Sequence, residues 1–134
     1  MKTLVVYYSK TGTTRTVAQA VAKEKNCESD EVLYDEKAKS IENALDPSGY
    51  DCVVLLAPIW AFALARPMKM YLAKHKSSIK RYCLIVTCGS FGLRGCIRNC
   101  ISAIGANPEV ALKFKSKHVK QGNYDLSPVL SLRE

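Results

Sequence analysis

Three short runs along the chain are apolar at nearly every position: "KTLVVYY" at 2–8, "CVVLLA" at 52–57 and "YCLIVTC" at 82–88. A strand with one wet face alternates apolar and polar residues, whereas a strand apolar throughout has protein on both faces. Each run is far shorter than a membrane span. Helical patterns fill the intervals. Residues 14–25 place Val17 and Val21 on one face with Ala18 and Ala22 beside them. Residues 67–76 open with Pro67, a residue suited to the first helical position. Residues 95–104 space Ile97, Ile101 and Ile104 toward a core.

Weaker strands are expected at 28–34, polar as befits a sheet edge, and at 109–117. In the latter, Leu112 and Phe114 oppose Lys113, Lys115 and Lys117. "SIENAL" (40–45) reads as a short helix stopped by Asp46-Pro47-Ser48-Gly49. Ser127-Pro128 reads as the start of a short last helix that ends with the chain at Glu134. The alternation predicts an α/β fold: one domain over 1–134 with a doubly wound five-stranded parallel sheet, covered on both faces. Ligands in such folds bind beyond the carboxyl ends of the strands, where strand order reverses. That rule selects the loops 9–14, 58–66 and 88–95.

Composition narrows the class. Hydrophobic residues make up 48% of the chain and charged residues 24%, as in soluble globular proteins. The run Leu4–Tyr8 is too short for a signal peptide, so a cytoplasmic protein with reduced thiols is expected. The cysteines at 27, 52, 83, 88, 96 and 100 contain no Cys-x2-Cys pair, and the only histidines are His75 and His118. This argues against structural zinc, and the cysteine spacing fits none of the common iron–sulfur patterns. The net charge of +8 is uneven: residues 1–50 sum to −1 and residues 51–134 to +9. The second half favours anionic partners.

The first loop, "YSKTGTT" (8–14), leaves a strand and enters a helix with Ser9, Thr11, Thr13 and Thr14 hydroxyls and a glycine, Gly12. Hydroxyls beside the free N–H groups of a helix start make an anion site. It is not a Walker loop, because Lys10 precedes the glycine. The third loop, "TCGSFGLRGC" (87–96), contains Cys-x5-Arg, the minimal spacing of a phosphatase loop. Against that reading, no Ser or Thr follows Arg94, and acidic residues able to protonate a leaving group are scarce in this half. Cys96 and Cys100 share a helix with Ile97 and Ile101 and read as core residues.

At this point the sequence resembles the flavodoxin family. "YSKTGTT" after the first strand is similar to its phosphate loop, residues 49–72 to its third strand and first flavin-side loop, and "AIGANPEV" (103–110) to its approach to the fifth strand. The likeness covers about residues 1–125, in the family's order. It implies FMN as cofactor and a role in electron transfer. Ser9, Thr11, Gly12, Thr13 and Thr14 would cradle the phosphate, with Lys10 in a variable position. Pro58, Ile59, Trp60 and Ala61 would line the ring, with Phe91 as candidate for its opposite face. Backbone groups of Cys88, Gly89 and Ser90 would meet the pyrimidine edge.

Two departures from the acidic electron carriers of the family stand out. Arg66 and Arg94 occupy the ring-side loops, which implies a less negative reduction potential. The last helix is short, which predicts an under-covered sheet face and hence a homodimer or partner surface. The expected partner is a redox protein, acidic in character, with no membrane insertion. A non-enzymatic module is the alternative, using Lys113, Lys115, Lys117 and Lys120 to bind an acidic protein. Nucleic acid is not expected, since only Phe114 interleaves these lysines.

Overall fold

The computed structural model describes residues 2–88 and 91–132. The elements in chain order are β1 (Thr3–Tyr7), α1 (Thr13–Lys25), β2 (Glu28–Glu31), β3 (Leu33–Asp35), β4 (Ser40–Glu42), β5 (Cys52–Trp60), β6 (Ala63–Leu64), α2 (Arg66–His75), β7 (Tyr82–Cys88), α3 (Leu93–Ile104), β8 (Ala111–Lys115), α4 (Ser116–Lys120) and α5 (Ser127–Leu130). The main sheet runs β2-β1-β5-β7-β8, every neighbouring pair parallel, as the apolar runs predict. The order reverses at β1, which pairs with β2 on one edge and β5 on the other.

Alternate residues of each buried strand feed two cores. On one face Leu4, Val6, Val53, Leu55, Leu84 and Val86 pack with Met68, Tyr71 and Leu72 of α2 and Cys96 and Cys100 of α3. On the other, Val5, Val54, Leu56 and Ile85 meet Val17, Ala18 and Val21 of α1. Val119, Leu126 and Val129 of the carboxyl-terminal segment are buried on this second face, so α4 and α5 cover it despite their shortness. The expectation of an under-covered face is corrected: the large exposed hydrophobics among the described residues are Leu33, Phe62 and Phe91, none in that segment.

Residues 40–45 are not the helix expected from sequence. Ser40–Glu42 instead pair antiparallel with Leu33–Asp35, matching Tyr34 to Ile41. Tyr34, Ile41 and Leu45 thereby reach the core. The nucleus of so short a helix is expensive, and here the Asp30 carboxylate supplies the backbone with another partner. Asp30 is buried and accepts from Ala44 N–H (2.9 Å), Leu45 N–H (2.9 Å) and Asn43 Nδ2 (3.2 Å). This one side chain fastens the β3–β4 excursion to the end of β2.

Removing that carboxylate takes the acceptor from two backbone amides, while Asn43 Nδ2 keeps the Leu45 carbonyl at 2.7 Å. Hydrogen bonds to a charged group contribute about 1.5–3 kcal/mol each, and unmet donors add their own penalty. Asp30→Ala should lower stability by about 3 kcal/mol, read as a shift of the urea midpoint at constant m. A change smaller than about 1 kcal/mol would show that the segment is held by its apolar contacts alone.

Candidate functional site

The carboxyl ends of β1 and β5 sit side by side at the reversal of strand order, and a cavity of about 190 Å³ opens there. Its lining is Lys10, Thr11, Thr13, Thr14, Pro58, Ile59, Trp60, Thr87, Cys88 and Ser116. The fold therefore brings together residues separated by a hundred positions of sequence.

The first wall is the loop from β1 into α1. Gly12 turns the chain with φ +96°, a conformation that L side chains rarely adopt. Its N–H donates to Ser9 Oγ at 3.0 Å, and its carbonyl accepts from Thr16 Oγ1 at 3.0 Å. Ser9 and Gly12 thus shape the loop rather than line the cavity. Gly12, at the N-cap of α1, makes no side-chain capping bond, and a Cβ placed on it would meet nothing within 4 Å. First-turn amides lack intrahelical partners, so this helix start presents donors and the positive end of its dipole to open space. Thr11, Thr13 and Thr14 surround it, with the Thr11 and Thr13 hydroxyls 3.4 Å apart.

The second wall is a hairpin. Trp60 pairs with Ala63 across a two-residue turn, Ala61-Phe62, and both turn residues have positive φ (51° and 65°). Pro58, Ile59 and Trp60 line the cavity, while Ala61 lies exposed at the tip. The Trp60 ring is fixed edge-on by Tyr8 at 5.6 Å and carries Lys10 Nζ at 5.6 Å from its centroid. The hairpin is locked onto α3: Leu64 N–H donates to Asn99 Oδ1 at 3.0 Å. Gly95 has no room for a side chain, since an added Cβ would lie 2.0 Å from the Phe62 carbonyl oxygen.

The third wall carries Cys88, buried and lining the cavity. Gly89 and Ser90, expected beside it, lie outside the described residues. Phe91 is not part of the lining: it is 75% exposed, with Lys113 Nζ 5.9 Å from its ring centroid.

Two lining residues escaped the sequence reading. Thr87 is the penultimate residue of the apolar strand β7, and its buried hydroxyl lies 2.8 Å from that of Thr14. This bond ties the first loop to the third strand end. Ser116 donates to the Cys88 carbonyl at 3.4 Å from the start of α4. A polar residue near the end of an apolar strand was the available signal for Thr87. Ser116 had none, because β8 brings it there.

The phosphatase reading finds no support in this geometry. Arg94 is exposed in the first turn of α3 and does not line the cavity with Cys88. Burial pushes the thiol of Cys100 up to about 12, and burial together with Cys88 pushes that of Cys96 up to about 11. Both behave as small hydrophobes, as expected. None of the six cysteines is in a disulfide, and no group of metal ligands gathers among the described residues. No described helix is long and apolar enough to cross a membrane.

Among the described residues of the lining, the titratable side chains are Lys10 and Cys88. What the cavity offers is a helix start with threonine hydroxyls beside a wall of Pro58, Ile59 and Trp60. A larger groove of about 500 Å³ opens at the opposite, amino-terminal ends of the strands, around Lys2, Lys25, Glu28 and Tyr50. Its polar groups already engage one another, Tyr50 Oη donating to Glu28 at 2.7 Å, and it lies away from the strand reversal.

Residues 4–124 match the sequence model of the flavodoxin domain. No curated protein sequence matches the chain. Among solved structures it is similar to a flavoprotein in complex with FMN from Lactobacillus acidophilus NCFM, with TM-score 0.73 and 21% identity over 90% of this chain and 97% of that one. It is also similar to the general stress protein 14 in complex with FMN from Treponema denticola, with TM-score 0.65 and 16% identity over 98% of each chain. A flavodoxin from the domain Archaea superposes with TM-score 0.59 at 14% identity, over 98% of this chain and 100% of that one.

The contact between Gly95 and the hairpin gives a direct test of how the second wall is held. In an ordinary helix Gly→Ala stabilises by about 1 kcal/mol. Gly95→Ala should instead lose about 2 kcal/mol, since the hairpin backbone must move away. Gly49→Ala, where an added Cβ meets nothing within 4 Å, is the control and should be neutral. The readout is the urea midpoint of each variant, and a Gly95→Ala protein as stable as its parent would refute the packing.

Proposed function

Since the chain belongs to the flavodoxin family, we propose that it binds FMN at this cavity and takes part in electron transfer. The observation that carries the reading is the uncapped start of α1, ringed by Thr11, Thr13 and Thr14 and facing the flat wall of Pro58, Ile59 and Trp60. A ligand with a phosphate at one end and a planar ring at the other matches both halves. The α1 amides and threonine hydroxyls would hold the phosphate, whose two charges the helix end favours. Ser9 and Gly12 keep the loop in shape. Trp60 offers an aromatic face held by Tyr8. The backbone at Cys88, with Gly89 and Ser90 by family likeness, would meet the ring edge.

When bound, FMN supplies a ring system that accepts and returns electrons. The chain's own contribution is to orient it and set the charge around it. Arg66 and Arg94 stand exposed at the starts of α2 and α3, the helices that follow the ring-side loops. Cations there favour whichever cofactor state is more negative, which is the reduced one. The reading is that of a carrier or redox flavoprotein in the cytoplasm, where its unbridged thiols suit a reducing compartment.

The purified protein should be yellow or become so with FMN. Riboflavin, which lacks the phosphate, should bind roughly 100-fold more weakly, the equivalent of one or two charge-assisted hydrogen bonds. Equal affinities in a fluorescence-quenching titration would remove the phosphate cradle, and refusal of FMN would remove the function. Separately, Arg94→Glu should lower the reduction potential of the bound flavin by some tens of millivolts in a dye-equilibration titration. An unchanged potential with flavin still bound would exclude the charge effect.

A further inference from the structure

We propose that the rim of this cavity is a docking face for an acidic redox protein, centred on Phe62 and Phe91 and flanked by cations on its β7–β8 side. The inference rests on the FMN reading, since a partner docked there would sit over the flavin. Phe62 is 68% exposed and Phe91 75%, two of the large hydrophobics left in solvent. They belong to one patch: a Cβ on Gly92, the residue after Phe91, would lie 3.0 Å from Phe62 Cα.

The patch has a physical oddity. Two-residue hairpins of this kind normally use Asn-Gly or similar pairs, because both positions need positive φ. Here they are Ala61 and Phe62, at φ 51° and 65°. Holding non-glycine residues there costs about 1–3 kcal/mol each. The hairpin tolerates that cost while placing an aromatic ring in water beside the cavity. Such a ring suits a contact made with another molecule.

Charge decides the partner. From Cys52 to Pro108, and again from Val110 to Tyr124, the sequence contains no Asp or Glu. Arg66 and Arg94 flank the two ring-side loops, and Lys113 and Lys115 stand exposed on β8, Lys113 over the Phe91 ring. The carboxylates at this end of the sheet, Glu31 paired with Arg15 and Glu36 near Tyr8, lie on the opposite flank, around β2 and β3. The face is thus apolar at its centre, positive on the β7–β8 side and more acidic on the β2 side. A small electron carrier with an acidic rim would be drawn in and oriented by that field.

The test uses the FMN-loaded protein and two probes of opposite charge: a reduced acidic [2Fe–2S] ferredoxin, which gives one electron to the flavin, and oxidised basic cytochrome c, which takes one from the reduced flavin. Stopped-flow rates are compared at about 20 mM and about 500 mM salt, which bracket weak and strong screening. The ferredoxin rate should fall about 10-fold or more with added salt, while the cytochrome rate does not fall. Lys113→Glu with Lys115→Glu should remove most of the ferredoxin salt dependence. Phe62→Gly relaxes the strained turn and so keeps the fold, yet should slow ferredoxin several-fold at high salt. Dithionite should still reduce the bound flavin of each variant to completion.

The proposal is overturned if cytochrome c is the faster partner at low salt, or if the variants react with ferredoxin as the parent does. It is equally overturned if the variants lose only binding to vesicles of anionic phospholipid, which would make the face a lipid contact. Failure of the FMN reading shows itself separately, as a protein that takes up no flavin. Ferredoxin association, measured without flavin by biolayer interferometry, then gives the same salt and variant comparison.

Discussion

Everything at the candidate site depends on β1 being hydrogen-bonded on both edges. From such a central strand the chain leaves in one direction toward β2, then must return across β1 to place β5 on its other side. Right-handed crossovers then put α1 on one face of the sheet and α2 and α3 on the other. The two cores record this division, with α1 residues in one and α2 and α3 residues in the second. The loops after β1 and β5 therefore part company, and the gap between them is the cavity. An uncapped helix start lies on one side of that gap and a tryptophan on the other because the strand order requires it.

What could be read from sequence follows how local each signal is. The apolar strands, α1, α2 and α3 announce themselves through periodicity within ten or so residues, and the structure has them. The loop Ser9–Thr14 was legible because a strand end, a glycine and a row of hydroxyls are adjacent in the chain. The β3–β4 pair was not, since its alternative to helix depends on Asp30, ten or more residues away from the amides it accepts. Thr87 was hidden inside an apolar run, and Ser116 reaches Cys88 only because β8 lies parallel to β7. Phe91, expected over the ring, stands exposed outside the cavity lining, and its neighbour in space is Lys113, a residue far away in sequence.

The carboxyl-terminal segment shows how little helix is needed to cover a sheet edge. α5 has one turn, yet Val129 is completely buried. Leu126 and Val119 share the same core, and the Phe114 and Tyr124 rings meet at 5.3 Å. Apolar area, not helical regularity, is the quantity that stabilises a sheet face. A chain that places three buried side chains from two short helices and the residue before the second satisfies the same requirement as one long helix.

The Ala61-Phe62 turn argues that local strain here is maintained from outside the turn. By itself the pair would prefer negative φ, and an isolated hairpin of this sequence would open. It stays closed because α3 determines it: the Phe62 carbonyl occupies the space that a side chain on Gly95 would need, and Asn99 takes the Leu64 amide. A turn held so firmly could use Asn-Gly at no loss of contact with α3, because those contacts are made by backbone atoms. The turn residues themselves are therefore free of any duty to the fold. A phenylalanine kept there, against its own backbone preference and two-thirds in solvent, has no reason in the packing of the domain itself.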